Sequence, residues 1–199
     1  MTTVAIVYHS GFGHTKLQAE AVRDGAAKVE DVEVMLLTAE EAGAQLDRLD
    51  SADAIIFGSP TYMGSMSAEM KKFLETAAAK WFTQSWKDKV AGAFTNSSSY
   101  SGDKLNTLMG LVINAMQQGM IYVGLGMMPA ASDPDSMNRI QGPGPEVMNR
   151  MGSYTGAMAA SFQVDPGDAP SSGDIATAEA YGTRVATITQ QLARGRTSD

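Results

Sequence analysis

Runs that are apolar on both faces alternate with amphipathic runs along most of this chain, and no other feature of the sequence constrains its fold as tightly. Val4–Tyr8, Val32–Leu37, Ala54–Phe57, Val90–Phe94 and Ile121–Leu125 have strand character, and Lys16–Val29, Glu40–Leu49, Ser67–Ala78, Leu105–Gln118 and Asp174–Arg194 helical character. A strand without a polar face must be covered on both sides, and strands separated by helices pair in parallel through right-handed crossovers. The predicted architecture is α/β: a three-layer sandwich with a five-stranded parallel sheet of order 2-1-3-4-5 and helices on both faces. With 199 residues, 44% of them hydrophobic, the chain fills one core of ordinary size, and a single domain over residues 1–199 is expected.

Three stretches interrupt the alternation. Residues 126–151, GMMPAASDPDSMNRIQGPGPEVMNRM, are too rich in Pro, Gly and Met for a regular element and longer than an ordinary connector, which marks a functional or disordered excursion. DPGDAPSSGD, Asp165 to Asp174, reads as a surface linker over 165–173 whose last Asp caps the closing helix. The final GRTSD, residues 195–199, reads as a frayed tail.

Charge and composition exclude several functions. A net charge of -7 disfavours nucleic acid and anionic membrane surfaces as partners. With no cysteine, disulfides, thiolate metal sites and a catalytic thiol are excluded. His9 and His14 do not share a helical face and have no carboxylate cluster beside them, so no metal site is expected. No run reaches the roughly 18 apolar residues of a membrane span, and Met1 leads directly into a strand rather than a secretory leader, so no membrane insertion and a cytoplasmic location are expected.

The chemistry is concentrated where strands end. Ser10, Gly11, Phe12, Gly13, His14 and Thr15 lie between the first strand and the first helix, so the unpaired N–H groups of that helix point into the loop. The glycines let the backbone curl round an anion, and Ser10 and Thr15 add hydroxyl donors. A Walker loop is absent, and a dinucleotide fingerprint fails because Lys16 stands in place of the third Gly and Leu37–Thr38 in place of the acidic residue. The third strand ends in GSPTYMGSMSAEM, which contributes Pro60, Thr61, Tyr62, Met63 and Gly64. The fourth ends in TNSSSYSG, which contributes Asn96, Ser97, Ser98, Ser99, Tyr100 and Gly102. In the predicted strand order these three loops meet at the switch point, and no charged residue occurs from Gly58 to Ala68 or from Thr95 to Gly102. A flat, uncharged heteroaromatic ring with a phosphate tail suits such a surface, and flavin mononucleotide (FMN) is such a ligand.

The same residues resemble the flavodoxin-like flavoproteins, and within them the NAD(P)H:quinone oxidoreductases first named as tryptophan-repressor-binding proteins. Ser10–His14 is similar to the family's Ser-x-Tyr-Gly-His, with Phe12 for Tyr. IIFGSPTYMGSMSAEMKKFLE is similar to its Ile-Ile-Phe-Gly-Thr-Pro-Thr-Arg-Phe-Gly-Asn-Met-Ser, and Trp81 falls where the family has a tryptophan. The resemblance implies a flavodoxin-like fold with FMN as prosthetic group and NADH or NADPH as co-substrate. It also implies two-electron, ping-pong hydride transfer through flavin N5 to a quinone. Ser10–Thr15 would hold the phosphate, Thr61–Met63 the ribityl chain and ring, and Asn96–Gly102 the pyrimidine side. Phe12, Trp81 and Gln118 would line the pocket shared by nicotinamide and quinone, Gln118 standing at the family's histidine. A homo-oligomer, dimer or tetramer, is expected, although the family's tetramer is not carried over to this chain. The chain departs from the family in a serine-rich rather than glycine-rich third loop, a shorter Thr38–Asp53 and a longer Gly126–Met151.

Two other functions compete with the reductase. A flavodoxin-type carrier passing single electrons would crowd carboxylates round the ring, whereas these loops carry none and only Asp103 flanks them. A non-catalytic flavin-binding protein could use the Pro/Gly/Met excursion to dock a partner. Trp86 reads as a structural anchor packing at the edge of the sheet, and most of the 14 methionines read as core filler.

Overall fold

The structure, a computed structural model, describes residues 1–196. Its strands are β1 (Thr2–Tyr8), β2 (Val32–Thr38), β3 (Ala54–Tyr62), β4 (Ser65–Met66), β5 (Val90–Ser97), β6 (Ile121–Tyr122) and β7 (Ala157–Ala160). The helices are α1 (His14–Ala27), α2 (Ala39–Ala44), α3 (Leu46–Asp50), α4 (Ala68–Thr76), α5 (Ala78–Thr83), α6 (Lys104–Gln117) and α7 (Ser172–Arg196). The long strands form a parallel sheet in the order β2-β1-β3-β5-β6, as the alternation of runs predicted, and β4 adds a short antiparallel hairpin to β3.

Alternate residues of each strand feed two cores. Ala5, Val7, Ile55 and Phe57 face α4 and α6 with Phe73, Trp86 and Leu108, whereas Val4, Ile6, Ile56 and Phe94 face α1 and α7 with Val22, Tyr181 and Val185. Each large side chain buried in this way contributes about 1.5–3 kcal/mol relative to exposure. Helices α1 and α7 pack at backbone distance: a Cβ on Gly25 would lie 1.8 Å from the Glu179 carbonyl oxygen, and one on Gly182 2.0 Å from that of Val22. Among the described residues, no helix is long and apolar enough to cross a membrane.

The fifth strand differs from the continuous Ile121–Leu125 that was expected. It is two pieces: β6 pairs with the start of β5 (Val90 with Ile121) and β7 with its end (Phe94 with Ala157 through Ser97 with Ala160). Residues 123–156 leave the sheet edge and return to it. The return is set by Gly156, where a Cβ would lie 2.1 Å from the Ala93 carbonyl oxygen. In the gap between the two pieces the Ala93 N–H donates to the buried Tyr181 hydroxyl (3.0 Å), which itself donates to the Val123 carbonyl (2.6 Å). The side chain thus replaces a missing rung of the ladder.

The excursion is therefore an insertion within a strand, and its second half is anchored. Buried Asn149 donates through Nδ2 to the Met127, Met128 and Ser153 carbonyls, and its Oδ1 accepts the Ser153 N–H at 2.9 Å. Asp174 does not cap α7. The helix starts at Ser172, and Asp174 sits buried in its first turn because Arg150 and the Ala160 N–H hold its carboxylate. The expected helix Glu40–Leu49 is broken at Gln45 (φ -136°, ψ 44°) into α2 and α3, with Thr38 and Glu41 forming a capping box at the start of α2. The expected helix over Ser67–Ala78 ends at Thr76 and α5 extends the segment to Thr83, stopping at Gln84 with φ 53°. In the expected linker, Ala169 and Pro170 are buried. Of the expected tail 195–199, residues 195–196 belong to α7, and 197–199 lie outside the described residues.

Candidate functional site

A crevice of about 490 Å³ opens over the carboxyl ends of four consecutive strands of the sheet, β1, β3, β5 and β7. It is lined from β1 and α1 by Ser10, Phe12, His14 and Thr15, from β3 by Thr61 and Tyr62, and from β5 by Asn96, Ser97 and Ser98. The three predicted loops do meet.

The first loop is shaped as an anion cradle. Gly13 caps α1 with φ 95° and no side chain caps the helix, whose first internal bond is Leu17 N–H to the Gly13 carbonyl (3.2 Å). The N–H groups of His14, Thr15 and Lys16 precede that bond, and no acidic residue lies in the first turn. The Gly13 N–H donates to Ser10 Oγ at 3.1 Å, which fixes the bend. Gly11 lies under Tyr62, where a Cβ would come within 2.6 Å of the phenolic oxygen. Burial pushes the Tyr62 hydroxyl above its ordinary value, opposed by a hydrogen bond from the Gly11 backbone. Phe12 stands edge-on to Tyr62 (6.1 Å, 79°) and is itself exposed.

The second and third loops split between lining and support. Thr61 Oγ1 is held inward by Thr95 Oγ1 (2.9 Å) and Thr107 Oγ1 (2.8 Å). Pro60 pairs with Asn96 inside the sheet, and Met63 (φ 48°) and Gly64 (φ 79°) make the turn to β4 with Met63 fully exposed, so Pro60, Met63 and Gly64 do not line the crevice. Ser99, Tyr100 and Gly102 also stand outside it. Ser99 accepts through its carbonyl from Ser97 Oγ (3.1 Å), and Gly102 has φ 52° with Ser97 Oγ 2.4 Å from its would-be Cβ. Tyr100 packs edge-on against Phe162 (5.2 Å, 79°), which itself lines the crevice, and has the Arg150 guanidinium 5.5 Å above its ring.

Two expected site residues belong elsewhere. Helices α4 and α6 start at the carboxyl edge of the sheet and run back, so the segments that follow them lie at its amino edge. Trp81 and Gln118 meet there around a shallow depression with Leu74 and Asn114, and neither lines the crevice of its own chain. Gln118 is buried and donates to the Ala77 carbonyl at 3.2 Å.

A fourth wall, Ser161 to Pro166, had no counterpart in the sequence expectation. The Ser161 N–H donates to the Ser97 carbonyl (3.0 Å), Asn96 Nδ2 donates to Ser161 Oγ (2.9 Å), and His14 Nε2 lies 2.8 Å from the Val164 carbonyl oxygen. Pro166 closes over Gly13, its Cγ 2.8 Å from the position a Cβ would take. The signal was GAMAASFQV before DPGD, a short apolar run ending in a Pro/Gly loop. This wall places Asp165 on the crevice, a carboxylate that charge-free loops did not anticipate.

FMN can be tested against this surface. The uncapped first turn of α1 supplies donors for a terminal phosphate. Asn96 Oδ1 is buried and has no hydrogen-bond partner, whereas its amide nitrogen is engaged with Ser161. An orphaned buried acceptor costs about 1–3 kcal/mol, and a ligand N–H such as that of the flavin pyrimidine would satisfy it. The residues present therefore fit the group.

Comparison with known proteins agrees. Residues 13–133 match the family described as NADPH-dependent FMN reductase. The chain is 40% identical to Flavodoxin FldP of Pseudomonas aeruginosa, covering 96% of this chain and 99% of that one. It is 32% identical to an NAD(P)H dehydrogenase (quinone) of Syntrophobacter fumaroxidans, covering 96% and 98%. Among solved structures, the flavodoxin, WrbA-like protein from Agrobacterium tumefaciens superposes with a TM-score of 0.72 at 39% identity, covering 96% of this chain and 99% of that one.

Proposed function

The chain belongs to the NADPH-dependent FMN reductase family, and from that premise we propose that it is an FMN-dependent oxidoreductase passing hydride from NADH or NADPH to a quinone by a two-electron, ping-pong route. The observation that carries the reading is one crevice that combines an uncapped helix start with the orphaned Asn96 acceptor, which are the two demands of a phosphate and of a ring N–H. The relatives named NAD(P)H dehydrogenase (quinone) support the choice of donor and acceptor.

In this reading Ser10 to Thr15 bind the phosphate, Thr61 and Tyr62 border the ribityl chain, and Asn96 to Ser98 orient the pyrimidine edge. When bound, FMN supplies the hydride-accepting and hydride-donating centre, because no side chain here can do that chemistry. Tyr62, its hydroxyl raised by burial, keeps its proton at neutral pH and presents an O–H donor at the crevice. Phe12 leaves an exposed aromatic face beside it on which flat substrates can stack. Sequential use of that face by nicotinamide and quinone gives ping-pong kinetics. Trp81 and Gln118 lie at the other edge of the sheet, so a role for them in substrate binding requires a second copy, as in the homo-oligomer expected from the sequence.

A flavodoxin-type carrier is the second reading, favoured by Asp165 on the crevice wall and by the relative named flavodoxin. Anaerobic addition of NADPH, then benzoquinone, to FMN-loaded protein separates the two. The reductase reading expects flavin absorbance to bleach and then return, with parallel double-reciprocal plots in steady state. A loaded protein that neither NADH nor NADPH bleaches would overturn the reductase reading.

A further inference from the structure

Lys104, the first residue of α6, is only 1% exposed, although lysine is seldom buried without a partner. Its Nζ donates to Ser97 Oγ (2.8 Å) and to the Ser99 carbonyl, so the ammonium sits directly behind the wall to which Ser97 and Ser98 belong. Both partners are neutral. The charged groups that face it are Asp174 from α7 and Arg150 from the insertion, and these are bound to each other. Loss of hydration at this position is costly, and it lowers the ammonium pKa to about 8. A charge kept in such a place exerts a field that water screens much less than it does at the surface.

Resting on the FMN reading above, we propose that Lys104 is a positioning residue for the cofactor: it fixes the 97–99 turn and, from behind the crevice wall, supplies a positive charge that favours the reduced flavin over the oxidised one. Hydride arrival from the nicotinamide brings two electrons and one proton to the ring, which gains one negative charge. The Lys104 ammonium stabilises that charge across a single layer of protein. Above about pH 8, where Lys104 is neutral in the oxidised protein, the same reduction draws one proton from solvent onto Nζ and balances the charge.

The test compares wild type and Lys104→Met, which keeps an unbranched buried stem, by fluorescence titration of apoprotein with FMN and by anaerobic potential measurement with reference dyes. Lys104→Met is expected to weaken binding of reduced FMN about tenfold more than that of oxidised FMN, which lowers the two-electron midpoint potential by about 30 mV. Potential measured against pH supplies a readout that needs no variant. The wild-type line is expected to steepen above about pH 8 by about 30 mV per pH unit, the signature of one extra proton per two electrons. His14 and Asp165 also line the crevice, and Lys104→Met, which leaves both in place, is expected to abolish the steepening. If Lys104→Met fails to fold, a straight wild-type line overturns the proposal by itself. Equal weakening of both redox states with an unchanged potential overturns it too, since the lysine then only holds the turn. Wild type that takes up no FMN sinks the cofactor reading and this proposal with it, whereas tight uptake with an indifferent variant sinks the proposal alone.

Discussion

Arg150 and Asp174 face each other in a bidentate ion pair, Nε to Oδ1 at 2.9 Å and Nη2 to Oδ2 at 2.8 Å, with side chains 5% and 1% exposed. The pair ties the insertion in the fifth strand to the first turn of α7, and Asp174 also accepts the Ala160 N–H at 3.0 Å. Removing one partner strands a buried charge. Arg150→Met is therefore expected to lower stability by roughly 3–5 kcal/mol, and the double change Arg150→Met/Asp174→Leu to recover part of that loss. Urea unfolding of the two single variants and the double variant completes the cycle.

The contact between α1 and α7 leaves no room for a side chain at Gly25 or Gly182. Gly25→Ala should cost about 1–3 kcal/mol or more, because a backbone carbonyl cannot yield as a flexible side chain does. Gly43 in α2 is the control. A Cβ there meets only Phe73 at 3.9 Å, and Gly43→Ala should gain about 0.4–1 kcal/mol by restricting the unfolded chain. Thermal melts that ranked the two alike would contradict the packing described.

Asn96 tests the crevice directly. Asn96→Ala removes the unpartnered Oδ1 together with the Nδ2 bond to Ser161. FMN affinity should fall about tenfold, the equivalent of one hydrogen bond of about 1.4 kcal/mol. Calorimetry on the apoprotein measures it, and unaltered affinity would remove Asn96 from the site.

Lys104 also gives stability a pH dependence of known sign. Its folded-state pKa of about 8 lies below the ordinary 10.5, so between these values the unfolded chain binds more protons than the folded one. The cost of burying the ammonium is complete below about pH 8 and fades as pH rises towards 10.5. Burial shifts Lys89 in the same direction, and the raised hydroxyls of Tyr122 and Tyr181 act oppositely only above pH 10.0. Stability should therefore climb between pH 8 and 10, by at most about 1.4 kcal/mol per unit for one proton. Denaturant melts of Lys104→Met across that range should show a shallower rise.

The sheet was legible because a strand apolar on both faces has few other destinations, and three of the four crevice walls were legible because each follows such a strand. The fourth wall escaped because β7 is four residues of Ala and Met without a β-branched side chain, well below the length and composition that mark a strand. Trp81 and Gln118 lie away from the crevice of their own chain for a geometric reason. A helix that starts at the site carries its far end away from it, and sequence spacing does not show the direction. The burial of Lys104 was equally hidden, since its environment comes from Ser97, Ser99, Arg150 and Asp174, which only the folded chain assembles.

The divided fifth strand has a consequence for how such chains diversify. Because Val90–Ala91 and Phe94–Ser97 are each paired on their own side of the gap, segments of different length could be grafted between Tyr122 and Ala157 without disturbing the alignment of any other strand. The sheet edge there serves as a socket, where new recognition surfaces can be exchanged beside an unchanged cradle.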